Sequence, residues 1–450
     1  MTCRLTAWAY IGMVVLLIVL ALACNSRTYD PAATYSAKQL QDDFRQLQDA
    51  ILKYHPLYFT DMSELRETLA RQSDSIHDGM DVLDFARVLG PVTSSVRCGH
   101  TRLSFQDNVR EYFMNDGHYL PFDISARGDS LFVMKNFTDD TMIACGARIV
   151  RIDGELAANI ITRVKNNLYT DGDGDGFKYY CLNQNFNGLY MIFIDDPEIF
   201  VIDYRNPDSD TISSITVGAK SRREINQFAK AHDLRDPQHP LIEQALHLDS
   251  GYAVLTVRFF DYSDDQDQVA DLLDSLFSEI DKNKINSLIL DLRGNDGGDP
   301  YGAAYLARHL IDKPFQYFAD NSAPFYADLK RELDPIAPVF GGKLLVLIDG
   351  GCFSTTGHLL SILKYHRRGV FIGEESGGSY ACNGGYKDMT LANSGINVLL
   401  PRTVFRTAVS GFARGKGIAP DFPVTPTIDD SVDDRDVIMQ TAITLIVNSP

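Results

Sequence analysis

Leu344-Leu345-Val346-Leu347-Ile348-Asp349-Gly350-Gly351-Cys352-Phe353-Ser354-Thr355-Thr356-Gly357 reads as a buried strand, a sharp turn and the start of a helix. Five apolar residues in a row, with no polar alternation, fit a strand covered on both faces of its sheet. The glycine pair allows the turn. Ser354 falls where a helix begins, and there unpaired N–H groups and the helix dipole favour a developing negative charge. About fifty residues earlier the chain takes the same shape. Ser287 to Leu292 is an almost wholly apolar strand, and Arg293-Gly294-Asn295-Asp296-Gly297-Gly298 is its glycine-rich exit. Gly297 and Gly298 let a second stretch of backbone approach closely, so the two turns together offer N–H groups aimed at one oxyanion. Taken singly, the same residues describe a helix N-cap and an ordinary turn.

Around these two turns, strands alternate with helices. Tyr252 to Val257 and Val370 to Ile372 are further strands, with Ile396 to Leu400 another. Helices are expected over Asp265 to Ile280, Tyr301 to Ile311 and Ser354 to Tyr365. This alternation predicts a layered α/β core. Upstream, Leu40, Phe44, Leu47 and Ile51 make one apolar helix face between Ala37 and Lys53, which His55-Pro56 terminates. A second helix is expected from Asp81 to Val96, capped at or near Asp81. Between them and the core, Leu131 to Met134 and Ala147 to Ile152 read as strands, Asp153-Gly154 as a turn and Glu155 to Leu168 as a helix.

Four ordered motifs resemble the C-terminal-processing (tail-specific) peptidases. They are Asp291-Leu292-Arg293-Gly294-Asn295-Asp296-Gly297-Gly298, then Gly350-Gly351-Cys352-Phe353-Ser354-Thr355-Thr356-Gly357, then Ile372-Gly373-Glu374-Glu375-Ser376-Gly377-Gly378, and last Gly415-Lys416-Gly417-Ile418-Ala419-Pro420-Asp421. The resemblance covers roughly 250–428. It implies a crotonase-like core of stacked β-β-α turns, with Ser354 as nucleophile and the N–H of Thr355 and of Gly297 or Gly298 as oxyanion donors. The order of Gly146, strand, turn and helix resembles the carboxylate-binding half of a PDZ-like module. The implied layout is a leader at 1–24, a linker at 25–36, a helical unit at 37–118, a PDZ-like module at 119–220 and a catalytic domain at 221–450.

The general base follows less directly. One branch of the family pairs its serine with a lysine after the second glycine of the third motif, but Ser379 stands there. The tricorn-like branch uses a histidine from the N-terminal unit. Val96-Arg97-Cys98-Gly99-His100-Thr101 resembles its "Asp-Gly-His-Thr" element, with Cys98 in place of the aspartate. That makes His100 the expected base, and imidazole suits the task because its ordinary pKa is near neutrality. The glutamate that this branch places before the closing motif is replaced by Arg414, so Glu375, or its neighbour Glu374, is the expected orienting acid. His358, one helical turn beyond Ser354, is the rival base and reads better as a packed residue. Cys352 is a rival nucleophile for which no motif places a base.

The 450-residue chain is 45% hydrophobic and 23% charged, with 60 acidic against 42 basic residues. A formal charge of −18 repels phosphate backbones and argues against nucleic acid as a partner. Arg4 precedes an apolar run that ends in Ala21-Leu22-Ala23-Cys24, the form of a signal peptide with a bacterial lipobox. The expected partners are therefore a polypeptide substrate, with its C-terminus as the PDZ-like ligand, and a membrane held through lipid on Cys24. The expected place is the bacterial cell envelope. Cys98, Cys145, Cys181, Cys352 and Cys382 remain, an odd number without a C-x-x-C pair; burial suits each, although a Cys352–Cys382 bridge is conceivable. No metal or other cofactor is called for. Asp171-Gly172-Asp173-Gly174-Asp175-Gly176 begins like a calcium loop, but Leu182 occupies its twelfth position, so it reads as an acidic turn. Interphotoreceptor retinoid-binding protein also resembles this family, which keeps a catalytically inactive ligand- or peptide-binding lipoprotein as the alternative.

Overall fold

A computed structural model describes residues 29–235, 237, 239–260 and 266–448. The expected leader and its lipid-bearing Cys24 lie outside the described residues. Among the described residues no helix is long and apolar enough to cross a membrane.

The N-terminal helices are α1 (Ala37–Tyr54), α2 (Met62–Asp74) and α3 (Val82–Ser95). Ser36 with Gln39, and Asp81 with Asp84, form capping boxes at the starts of α1 and α3. Their apolar faces meet in one core that includes Leu40, Phe44, Phe85 and Leu89. The chain continues through β1 (Arg102–Ser104) and α4 (Asp107–Asp116).

A second unit contains β2 (Phe122–Arg127), β3 (Ser130–Asn136), β4 (Arg148–Ile152), β5 (Glu155–Leu156), α5 (Ala157–Lys165), α6 (Gly176–Gln184), α7 (Phe186–Phe193), β6 (Ile199–Arg205) and β7 (Ser213–Gly218). The strands form an antiparallel sheet in the order β2-β3-β4-β6-β7, with β5 on β4. Tyr119 and Lys220 exchange backbone hydrogen bonds at 2.9 and 3.0 Å, closing the two ends of this unit on each other. Helix α8 (Arg222–Ala231) follows. Although it lies within the stretch expected to be catalytic, its Ile225 and Ala229 are buried in the core of the N-terminal helices. An amphipathic helix packs where its apolar face is covered, and this one finds that cover on the helical unit.

The third unit begins with β8 (Ile242–His247), β9 (Tyr252–Val257), α9 (Gln266–Lys282), β10 (Ser287–Asp291), α10 (Pro300–Leu310), β11 (Phe315–Gln316), β12 (Glu332–Leu333) and β13 (Lys343–Ile348). It ends with α11 (Thr355–Tyr365), β14 (Val370–Gly373), β15 (Ala381–Thr390), β16 (Asn397–Arg406), β17 (Phe422–Pro423), α12 (Ile428–Val432) and α13 (Val437–Val447). The main sheet runs β17-β14-β13-β10-β9-β8 and is parallel except for the edge strand β8. Leu288, Leu290, Val346 and Ile348 face a core shared with α9, α10 and α11. Ile289, Leu345 and Leu347 face the other way, onto Ile438 and Ala442 of α13. Cover on both faces explains the unbroken apolar runs, and each such side chain contributes about 1.5–3 kcal/mol on burial.

The third unit is tied to the first through a small sheet, β1-β16-β15. Arg102, Leu103 and Ser104 pair antiparallel with Leu399, Val398 and Asn397. The residues just before β1 are thereby fixed over the end of the main sheet.

Candidate active site

Strand β10 leaves the sheet into the loop 292–298, and β13 leaves it beside that loop into 349–354. Asp349 joins the two exits. Its Oδ1 accepts from Gly294 N and from Gly351 N, each at 2.9 Å. Asn295 is fully buried and is the second tie: its Nδ2 donates to Val257 O at 2.8 Å, while its Oδ1 accepts from Gly297 N at 3.0 Å and Thr356 Oγ1 at 2.7 Å. Arg293 of the same motif points away, bridging Asp291 and Asp436 at the start of α13.

Ser354 occupies the N-cap position of α11 but does not cap it. Its backbone lies at φ 54°, ψ −121°, a conformation that costs a non-glycine residue about 1–3 kcal/mol. The strained turn frees the hydroxyl from its usual capping bond and turns it toward the N-terminal unit. There Ser354 Oγ meets His100 Nε2 at 2.9 Å. Two residues 254 positions apart are joined by the β1–β16 pairing. Gly99 makes the approach possible: a Cβ there would run into the ring of Phe353, which packs on the His100 ring at 4.8 Å between centroids.

Burial holds the His100 pKa well below its ordinary value, with the Arg102 guanidinium and His358 acting in the same direction. The imidazole is therefore neutral and able to accept a proton. The N–H groups of Gly298 and Thr355 have no acceptor among the described residues, and Thr355 Oγ1 donates to Gly298 O at 2.6 Å, holding the two turns together. Gly297 differs from expectation. Its N–H is committed to Asn295 Oδ1, so Gly298 is the glycine with a donor to offer.

Glu375 does not reach His100. Its Oε1 accepts from Gly417 N at 2.9 Å, while His100 Nδ1 has no hydrogen-bond partner among the described residues. The reason is local: the loop after β14 folds onto the closing motif, where Ser376 N also donates to Ile418 O at 3.2 Å. Glu374 is likewise directed elsewhere, accepting from Thr425 Oγ1 at 2.9 Å. Arg414, standing in the expected place of an acid, lies over the Tyr58 ring at 5.6 Å.

His358 is fully buried, with Nε2 at 3.5 Å from Cys382 Sγ and its ring edge-on to Phe318 at 5.4 Å. Burial takes its pKa down to about 3. Cys352 donates to Leu292 O at 3.0 Å, and burial holds its thiol well above the ordinary range. The five cysteines among the described residues are unpaired, Cys352 and Cys382 included. In the acidic loop, Asp173 pairs with Arg97 at 2.7 Å and Asp175 with Lys165 at 2.6 Å, while Asp171 turns inward and accepts from Gly99 N at 2.8 Å.

Residues 251–424 match the sequence profile of peptidase family S41. This segment is similar to the S41 peptidases. The "C-terminal processing peptidase, chloroplastic" of Tetradesmus obliquus is 26% identical over 155 residues, 34% of this chain and 32% of that protein. The match thus spans about a third of the length of that curated relative. Mature CPAF superposes with a TM-score of 0.67 at 13% identity, covering 91% of this chain and 96% of that one. CPAF in complex with lactacystin gives the same TM-score at 14% identity, covering 92% and 99%. At such identities the likeness is one of fold. It extends over all three units, well beyond the S41 segment itself.

Proposed function

We propose that this chain is an exported serine peptidase that cleaves polypeptides through an acyl-enzyme on Ser354, with His100 as general base. The observation that carries the reading is the 2.9 Å contact between His100 Nε2 and Ser354 Oγ, made at a strained turn that opens a helix. In this reading Oγ attacks the scissile carbonyl carbon while Nε2 takes the hydroxyl proton. The oxyanion is held by the N–H of Thr355 and of Gly298. As the C–N bond breaks, the imidazolium returns its proton to the leaving amine, and an ester to Ser354 remains. Water, deprotonated by the same nitrogen, then hydrolyses that ester and restores the hydroxyl.

The fold likeness to CPAF supports a crotonase-like core, and the antiparallel sheet of the second unit supports a PDZ-like module that would take a polypeptide C-terminus. We assign the chain to the bacterial cell envelope, held by lipid on Cys24; the Ala21-Leu22-Ala23-Cys24 sequence is the support. One observation favours the alternative of an inactive binding protein on the same scaffold: neither Glu375 nor Glu374 orients the histidine. A fluorophosphonate probe separates the two readings. The peptidase is labelled and Ser354→Ala is not, whereas a binding protein takes no label.

A further inference from the structure

Among the buried polar atoms around the nucleophile that lack hydrogen-bond partners among the described residues are His100 Nδ1 and Asp171 Oδ2. A ring nitrogen of His100, a carboxylate oxygen of Asp171 and Cys98 Sγ lie within 4.8 Å of one another. Asp171 is only 6% exposed and His100 only 4%. An orphaned carboxylate oxygen at this depth is costly, and native structures rarely leave one without a use. The carboxylate is also held firmly where it is. Its Oδ1 accepts from Gly99 N, Gly172 N donates to Arg97 O at 3.1 Å, and Asp173 N donates to Gly415 O at 3.3 Å. The loop is thus laced to the segment that carries His100 on one side and to the closing motif on the other.

We propose that Asp171 is the positioning residue of this site, accepting the Nδ1 proton of His100 and fixing the tautomer whose Nε2 faces Ser354. The assignment rests on the reading of Ser354 and His100 as nucleophile and base. The ring nitrogen and the carboxylate oxygen lie within 4.8 Å, and catalytic hydrogen bonds that are long in unliganded enzymes tighten to about 2.8 Å when substrate binds. Once the imidazole has taken the serine proton, the carboxylate stabilises the imidazolium. No second acid is needed, which accounts for Glu375 and Glu374 being engaged elsewhere.

The groups that act on this pair are Arg102 on β1, Cys98 in the preceding turn, Cys382 and Tyr386 on β15, and His358 on α11. Burial keeps both thiols and the phenol neutral at ordinary pH, and His358 titrates only at about 3. Burial raises the Asp171 carboxyl to about 7. Asp171 is therefore the group here whose charge changes near neutral pH, while burial holds the imidazole of His100 neutral there.

The test is a site-resolved NMR titration of His100 in the full chain, alongside kinetics on an ester substrate. The wild type is expected to hold neutral His100 with its proton on Nδ1. Asp171→Asn, which keeps the acceptor for Gly99 N, is expected to lower the imidazole pKa by at least one unit. It should also reduce kcat at least 100-fold with KM within threefold, and unfold no earlier than wild type at pH 8. That last readout excludes a merely structural role. A His100 pKa unchanged in the variant, or a wild-type proton on Nε2, overturns the proposal; the tautomer decides even if the variant does not fold. Stoichiometric Zn²⁺ in the purified protein, lost in Cys98→Ser, would make the trio a metal site and also overturn it. Absence of fluorophosphonate labelling in the wild type defeats the peptidase reading instead, and leaves the titration to judge the pair.

Discussion

A Cβ on Gly297 would lie 2.8 Å from the Cβ of Ser354 and 2.9 Å from Thr355 N. Gly297 also has φ +115°, a region that side-chain-bearing residues avoid. The glycine is therefore required twice, by its backbone and by the closeness of the nucleophile. Gly297→Ala is expected to shift the donor loop away from α11 and to lower kcat/KM by roughly 10²–10³-fold, the usual cost of losing one oxyanion donor. Steady-state kinetics on a peptide or ester substrate check this, with circular dichroism confirming that the fold is retained.

Asp43 on α1 is fully buried and accepts four hydrogen bonds from the turn between β15 and β16. The donors are Asn393 N and Nδ2, each at 2.9 Å, and Ser394 N and Oγ, each at 2.7 Å. This clasp fastens the helical unit to the hairpin that pairs with β1, and so bears on where His100 sits. Asp43→Ala leaves four donors without their acceptor and should cost about 3 kcal/mol or more. Chemical denaturation measures that loss. Labelling of Ser354 should fall alongside stability, because the two units are then free to separate.

Buried neutral histidines set the acid stability. Burial depresses the pKa of His55 to about 4, of His358 to about 3, and of His100 well below its ordinary value. The folded state resists protonation at these sites, so the stabilisation is present above about pH 6.5 and is lost as pH falls toward the depressed values. Asp171 runs the other way, since its raised carboxyl favours the folded state at low pH and loses that advantage as pH rises toward 7. His358→Leu removes one proton from the balance. Between pH 6 and 4 its unfolding free energy should therefore fall less steeply than wild type, by about 1.4 kcal/mol per pH unit. Denaturant melts across that range measure the difference.

Local signals carried much of the fold. Two unbroken apolar strands ending in glycine turns could only be the centre of a covered sheet, and they proved to be the neighbours β10 and β13. The motif singled out His100 as the expected base, but its meeting with Ser354 depends on β1 pairing with β16, which no local pattern encodes. Three features were hidden for physical reasons. Asn295 takes the Gly297 N–H by a contact two residues away that the glycine spacing does not reveal. The loop after β14 folds onto the closing motif and carries Glu375 with it. Asp171 looked like part of an acidic turn, and only the packing of that turn against Arg97 and Gly415 turns one of its carboxylates inward. The signal that could have found it was the same run of alternating aspartate and glycine, read as a loop laced to two motifs.

The most direct measurement is fluorophosphonate labelling of the full-length chain, with the modified residue mapped by mass spectrometry. The account predicts label on Ser354, its loss in Ser354→Ala, and labelling slowed by at least 10³-fold in His100→Ala while the melting temperature stays close to wild type. Labelling at an undiminished rate in folded His100→Ala would contradict it.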